Sequence, residues 1–144
     1  MKDSLVPFAA LALLLFPLAP DAAETTRLVE RASNEHVIYV TPGVDSLGNQ
    51  LVFFNPMFDA ANLKEVGSSS GSCVRTTVGR TWHCNWMIQL AHGQFAVAGT
   101  YPDEGDCDFA IVGGTGRYAA ARGVLKVHPR DAEHASYDFT IVLR

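Results

Sequence analysis

The run TWHCNWMIQL, Thr81 to Leu90, alternates: Trp82, Cys84, Trp86, Ile88 and Leu90 fall on one side, and His83, Asn85, Met87 and Gln89 on the other. A period of two is the pattern of a strand with one buried face, because successive side chains of extended backbone point in opposite directions. Shorter runs of the same kind recur at RLVER, HVIYV, QLVFFN, SCVRTTV, QFAVAGTY, DFAIVG, GVLKVH and SYDFTIVL, each bounded by Gly, Pro, Asn, Asp or Ser. No segment beyond the N-terminal region sustains a 3.6-residue apolar period. Eight or nine short strands in quick succession predict an all-β barrel or sandwich. A chain of 144 residues supplies one such domain.

The N-terminal stretch LVPFAALALLLFPLA, Leu5 to Ala19, follows Lys2 and precedes the small residues Ala22 and Ala23. It is expected to be a secretory signal peptide over residues 1–23, leaving a single domain at 24–144. The competing reading is a membrane anchor, which a spanning helix of roughly 20 apolar residues and two interrupting prolines disfavour. The expected location is secreted or periplasmic, with no membrane association after cleavage. A formal net charge of −4 with scattered Lys and Arg offers no footprint for nucleic acid or an anionic lipid surface.

Three cysteines in an exported chain suggest one disulfide and one remaining thiol. If Val78 and Gly79 form a two-residue hairpin loop, Cys73 stands opposite Cys84, at the roughly 4.5 to 5.5 Å between Cα atoms that a disulfide can span. A wider loop would place Trp86 opposite Cys73 instead. Cys107, in an acidic turn, is the expected odd thiol.

Three motifs invite chemistry that their surroundings do not support. GGTGRYAAARG imitates a dinucleotide loop, but such a site needs several βαβ units of about 30 residues or more, and the upstream chain has no crossover helices. Gly113, Gly114 and Gly116 read as a sharp turn between strands, with one helical turn at Arg117 to Ala121. GSSSG, Gly67 to Gly71, matches a nucleophile elbow in letters only, since the elbow needs a strand feeding a helix in a large α/β sheet; a flexible surface loop is expected. The five histidines show no metal-binding spacing, and Asp103, Glu104, Asp106 and Asp108 lack a calcium-loop pattern. Neither a metal nor a cofactor is expected.

VGGTGRYAAARG resembles the GGTG-[KR]-[FY]-x-x-ARG signature of dirigent proteins. Together with DSLGNQLVFFNPMFD, GSC and GQFAVAGTY, it is similar to allene oxide cyclases and bacterial proteins with the same barrel, in order from about Asp45 to Arg144. The resemblance implies an eight-stranded antiparallel β-barrel with an apolar lumen, often a homotrimer. It also implies candidate site residues. Cys73 in Gly71-Ser72-Cys73 matches a luminal cysteine of the cyclases, and Glu30 in LVER is nearest to their luminal glutamate. The asparagine two residues after that glutamate is replaced by Ala32. Arg122 matches the arginine of the dirigent ARG motif, where it would bind an oxygen if it faced inward; its alternative is a surface ion pair with the acidic turn.

Two functional expectations follow. A secreted barrel could bind a small apolar or aromatic molecule and steer its cyclisation or coupling, acting mainly by holding one reactive conformer. Glu30 and Arg122 would then be the catalytic polar groups, with Trp82, Trp86 and Tyr101 lining the ligand site. The alternative is a non-catalytic binding or structural barrel, its lumen filled by its own aromatic side chains.

Overall fold

The computed structural model describes residues 23–144, so the segment expected to be a signal peptide lies outside the described residues. Nine strands form one antiparallel sheet: β1 Glu24–Arg31, β2 Glu35–Ile38, β3 Gln50–Asp59, β4 Glu65–Thr77, β5 Thr81–Leu90, β6 Gly93–Pro102, β7 Cys107–Gly114, β8 Gly123–Pro129 and β9 Ser136–Leu143. The sheet closes because β1 pairs with β9 along its whole length and also with β3, through Leu28↔Asp59, Val29↔Phe58 and Glu30↔Met57. β2 takes the other half of the same β3 edge, from Glu35↔Phe53 to Ile38↔Gln50. Nine strands therefore occupy eight positions, and the fold is a closed eight-stranded antiparallel β-barrel.

The break between β1 and β2 has a local cause. At Ser33 and Asn34 the chain leaves the ladder, and both backbone N–H groups donate to the Asn55 Oδ1 atom, at 3.1 Å each. A buried side-chain acceptor thus replaces the strand partner these amides lose.

Cys73 faces Cys84, and the two are disulfide-bonded. The loop differs from the expected one. It has three residues, Val78 to Arg80, with Gly79 at φ 66°, and a bulge between Arg75 and Thr77 absorbs the extra residue. Loop and bulge cancel, so the register equals that of a two-residue loop.

GSSSG is not a surface loop. It lies inside β4, and Ser69 is wholly buried. Its small residues are needed there: a Cβ on Gly71 would collide with Trp86, its partner across the ladder.

Of the three glycines expected to form a sharp turn, Gly113 and Gly114 are the last residues of β7, and Gly116 opens the turn, whose helical piece is shorter than expected, a single 3₁₀ turn at Gly116–Tyr118. Gly116 has φ 58°, and the Thr115 and Arg117 amides donate to the carbonyls of Gln94 and His92 at 2.8 and 2.9 Å. Amides already bonded to a neighbouring turn are not free to cradle a phosphate.

Alternation places one set of side chains in the lumen. At the end near the glycine turn, Ile88, Phe95, Leu125, Met57 and Ile141 fill it as a fully buried core. The other end, toward the β4–β5 and β8–β9 turns, is not filled.

Candidate functional site

The unfilled end holds a cavity of about 330 Å³ that opens to solvent. Eight-stranded barrels have an interior just wide enough to be filled by side chains or to hold one small ligand. Its walls carry Phe53, Trp86, Tyr101, Tyr137 and Phe139, with the Cys73–Cys84 disulfide as part of the lining. Trp86 organises the aromatic wall: Phe53 meets it edge-on at 5.7 Å between ring centroids, and Phe109 packs behind it at 4.3 Å. The Trp86 Nε1–H group is buried without an acceptor, a condition that typically costs 1–3 kcal/mol.

Glu30 is the buried charge-bearing group of this cavity. It enters from β1, is only 5% exposed, and stands beside Tyr137 of β9 in the ladder. Its Oε1 accepts from Asn55 Nδ2 at 3.3 Å, and its Oε2 accepts a short hydrogen bond from the Ser69 hydroxyl. Burial raises its pKa from the ordinary 4.5 to about 7; the donors Ser69 and Asn55 oppose the rise and the nearby Glu35 carboxylate adds to it. A carboxyl poised near neutrality can give or take a proton at physiological pH.

The Asn55 amide also donates to Glu35 Oε1, at 3.2 Å. One side chain thereby holds the β1–β2 corner and positions two carboxylates, one deep and one at the exposed mouth. Across the cavity, the Tyr101 hydroxyl bonds the Tyr137 hydroxyl at 2.9 Å and His134 Nδ1 at 3.2 Å. His134 adopts φ 55°, and its turn is tied down by Asp131, which accepts from the Ala135 amide and the Ser136 hydroxyl. Burial pushes the Tyr101 hydroxyl up to about 12 and Tyr137 further, so both are neutral donors.

Beside the mouth, Arg75 is 9% exposed and pairs with Asp45 at 2.8 Å and Asp103 at 2.5 Å while stacking on Trp82 at 3.9 Å from its ring centroid. Trp82 donates its indole N–H to Asp103. This cluster fastens the loop between β2 and β3, through Asp45, to the barrel end.

The structure brings Glu30, Trp86 and Tyr101 together around one cavity. Trp82 is buried beneath Arg75 and does not line it. Arg122 is exposed and precedes β8 at the opposite, filled end, where its carbonyl accepts from the Arg144 amide; neither the lumen nor the acidic turn is within its reach. Cys73 has no free thiol. Cys107 is the free cysteine, and burial, with Asp108 and Asp106 nearby, pushes its thiol up to about 12. Asn55 and Ser69 were legible in principle, since both are polar residues in inward slots of alternating strands. The asparagine missing at position 32 has a counterpart in Asn55, supplied by another strand. Tyr137, His134 and Glu35 carry no sequence signal beyond residue type.

Among solved structures, pyocyanin demethylase is 25% identical with a TM-score of 0.70, covering 83% of this chain and 99% of that one. A pterocarpan synthase dirigent protein has a TM-score of 0.74 at 14% identity, covering 85% and 95% of the two chains. The Diels Alderase AbmU from Streptomyces koyangensis gives 0.70 at 23% identity, with 85% of this chain against 63% of that one. The last two show the shared fold. No curated protein is similar to the chain in sequence. The family described as Dirigent-like protein matches residues 21–143, nearly the whole described barrel, and the chain belongs to that dirigent-like family.

Proposed function

We propose that the barrel binds a small apolar or aromatic molecule in its open end and steers the cyclisation or coupling of that molecule, with Glu30 as the proton-transferring group. The observation that carries this reading is a buried carboxyl, held by Asn55 and Ser69 and raised to about 7, facing an aromatic-walled cavity of about 330 Å³. Apolar walls with a few convergent polar groups are the usual make-up of a small-molecule site. An engineered cavity of about 150 Å³ accepts benzene, so this one suits a molecule of about two rings. Trp86 and Tyr101 shape the space, Glu30 supplies the chemistry, and Arg122 takes no part.

The protein is exported, a location that the Cys73–Cys84 disulfide favours. Its outer β3–β4 face carries Val52, Phe54, Pro56 and the serines 68, 70 and 72 with no charge between them, a surface suited to the homotrimer.

The test is native mass spectrometry of the exported protein, followed by product assays on whatever mass is retained. A retained aromatic whose products change with Glu30→Gln supports turnover. Products unchanged by Glu30→Gln would remove Glu30 from the chemistry, and binding without any product would leave a non-catalytic binding barrel.

A further inference from the structure

The charge around the cavity narrows its ligand further than size and apolarity do. Glu30, Glu35 and Asp103 line it, and among the described residues lining it there is no lysine or arginine. Arg75, the nearest guanidinium, is committed to Asp45 and Asp103. Glu30 and Glu35 have no such partner. One neutral amide, Asn55 Nδ2, bridges them at 3.3 and 3.2 Å. Two carboxylates sharing a neutral donor repel each other unless one is protonated or a cation joins them.

An anion entering here would meet Glu35 at the mouth and Glu30 within. A cation would meet both carboxylates and the faces of electron-rich rings, which attract positive charge. Phe53 and Trp86 meet edge-on, their planes 75° apart, so the wall offers a ring face and a ring edge to whatever enters. No group of side chains suited to a metal ion exists among the described residues.

We propose that the ligand is an aromatic cation of about two rings, its charge beside the Glu30 and Glu35 carboxylates and its ring against Trp86. This rests on the reading of the lumen as a ligand site. A cation bound beside Glu30 also draws its carboxyl into the charged form, removing the burden of an ionised group in an apolar wall.

Three two-ring probes test it: N-methylquinolinium, naphthalene and 2-naphthoate, titrated at pH 7.5 into the folded chain and followed by quenching of tryptophan emission. The cation is expected to bind at least tenfold more tightly than naphthalene, and naphthoate more weakly than either. Glu35→Gln, an exposed position at the mouth, should shrink the cation's advantage over naphthalene severalfold. Calorimetry on the same variant provides a readout independent of fluorescence. Equal binding of the cation and naphthalene, or preference for naphthoate, overturns the charge assignment and leaves the lumen as a ligand site. Failure of all three to bind overturns both.

Discussion

Replacing Glu30 by Gln should stabilise the barrel at alkaline pH and leave it unchanged in acid. The carboxyl is held at about 7 by burial, against 4.5 when solvated. At about 1.36 kcal/mol per pH unit, this difference is worth roughly 3 kcal/mol. Below pH 4.5 both the folded and unfolded chains carry the proton, and Glu30 costs nothing beyond what Gln would. Between 4.5 and 7 the unfolded chain releases its proton while the folded chain keeps it. The folded state then binds more protons, so stability falls as pH rises. Above 7 the full cost, about 3 kcal/mol, is in place. The measurement is urea unfolding of both proteins from pH 4 to 8.5, with the difference taken at each pH so that every other titrating group cancels. A difference growing with pH across that window, in favour of Gln, is the expected result. A flat difference would show that Glu30 is solvated in the native barrel, and the cavity chemistry built on it would fall.

Two further perturbations address the end of the barrel that holds the site. Arg75→Met strands Asp45 and Asp103; breaking a fully buried pair costs 3–5 kcal/mol, and because these aspartates keep 38% and 30% side-chain exposure the expected loss is about 2 kcal/mol. Hydrogen exchange should show the backbone of residues 39–49 losing protection first. Converting both Cys73 and Cys84 to Ser opens a short closed loop between residues 11 apart, worth about 3 kcal/mol by loop entropy; a melting temperature about 10 °C lower, read by circular dichroism, is expected.

The strands were legible because alternation and turn residues act locally. All nine apolar runs became strands, and Cys73 facing Cys84 was one of two registers the hairpin allowed, reached in the structure through a three-residue loop and a bulge rather than the two-residue loop assumed. Closure was not legible locally, since it depends on β1 reaching both β9 and β3, pairings between distant parts of the chain. GSSSG was misread for a related reason. Serine and glycine resemble loop composition, but in β4 they make room for Trp86 of the next strand, a requirement visible only across the ladder. Arg122 was placed by motif likeness, and the motif's position at the filled end of the barrel puts its side chain in solvent. Glu30 was singled out through likeness too, but its partners Asn55 and Ser69 come from β3 and β4, so the candidate site forms only once the barrel closes.

The three polar residues of the Glu30 cluster do not all owe their place to the same requirement, and substitution can separate them. Glu30 and Ser69 bond each other and project into the lumen, so a barrel selected for stability alone would do better with apolar side chains at both. Asn55 is different. Its Oδ1 satisfies the amides of Ser33 and Asn34 where the chain leaves the ladder. Asn55→Leu abandons two N–H groups, each worth about 1–3 kcal/mol if left unpaired; because Ser33 and Asn34 are exposed enough to recruit water, the lower figure applies and a loss of about 2 kcal/mol is expected. Glu30→Leu combined with Ser69→Ala should be neutral or stabilising at pH 8, where the ionised carboxyl would otherwise be buried. If all three positions lost stability alike, the polar cluster would be structural throughout. A gain at Glu30 and Ser69 beside a loss at Asn55 would mean that the barrel carries an unfavourable carboxyl on a scaffold built to hold it, which is the arrangement expected of a reacting group.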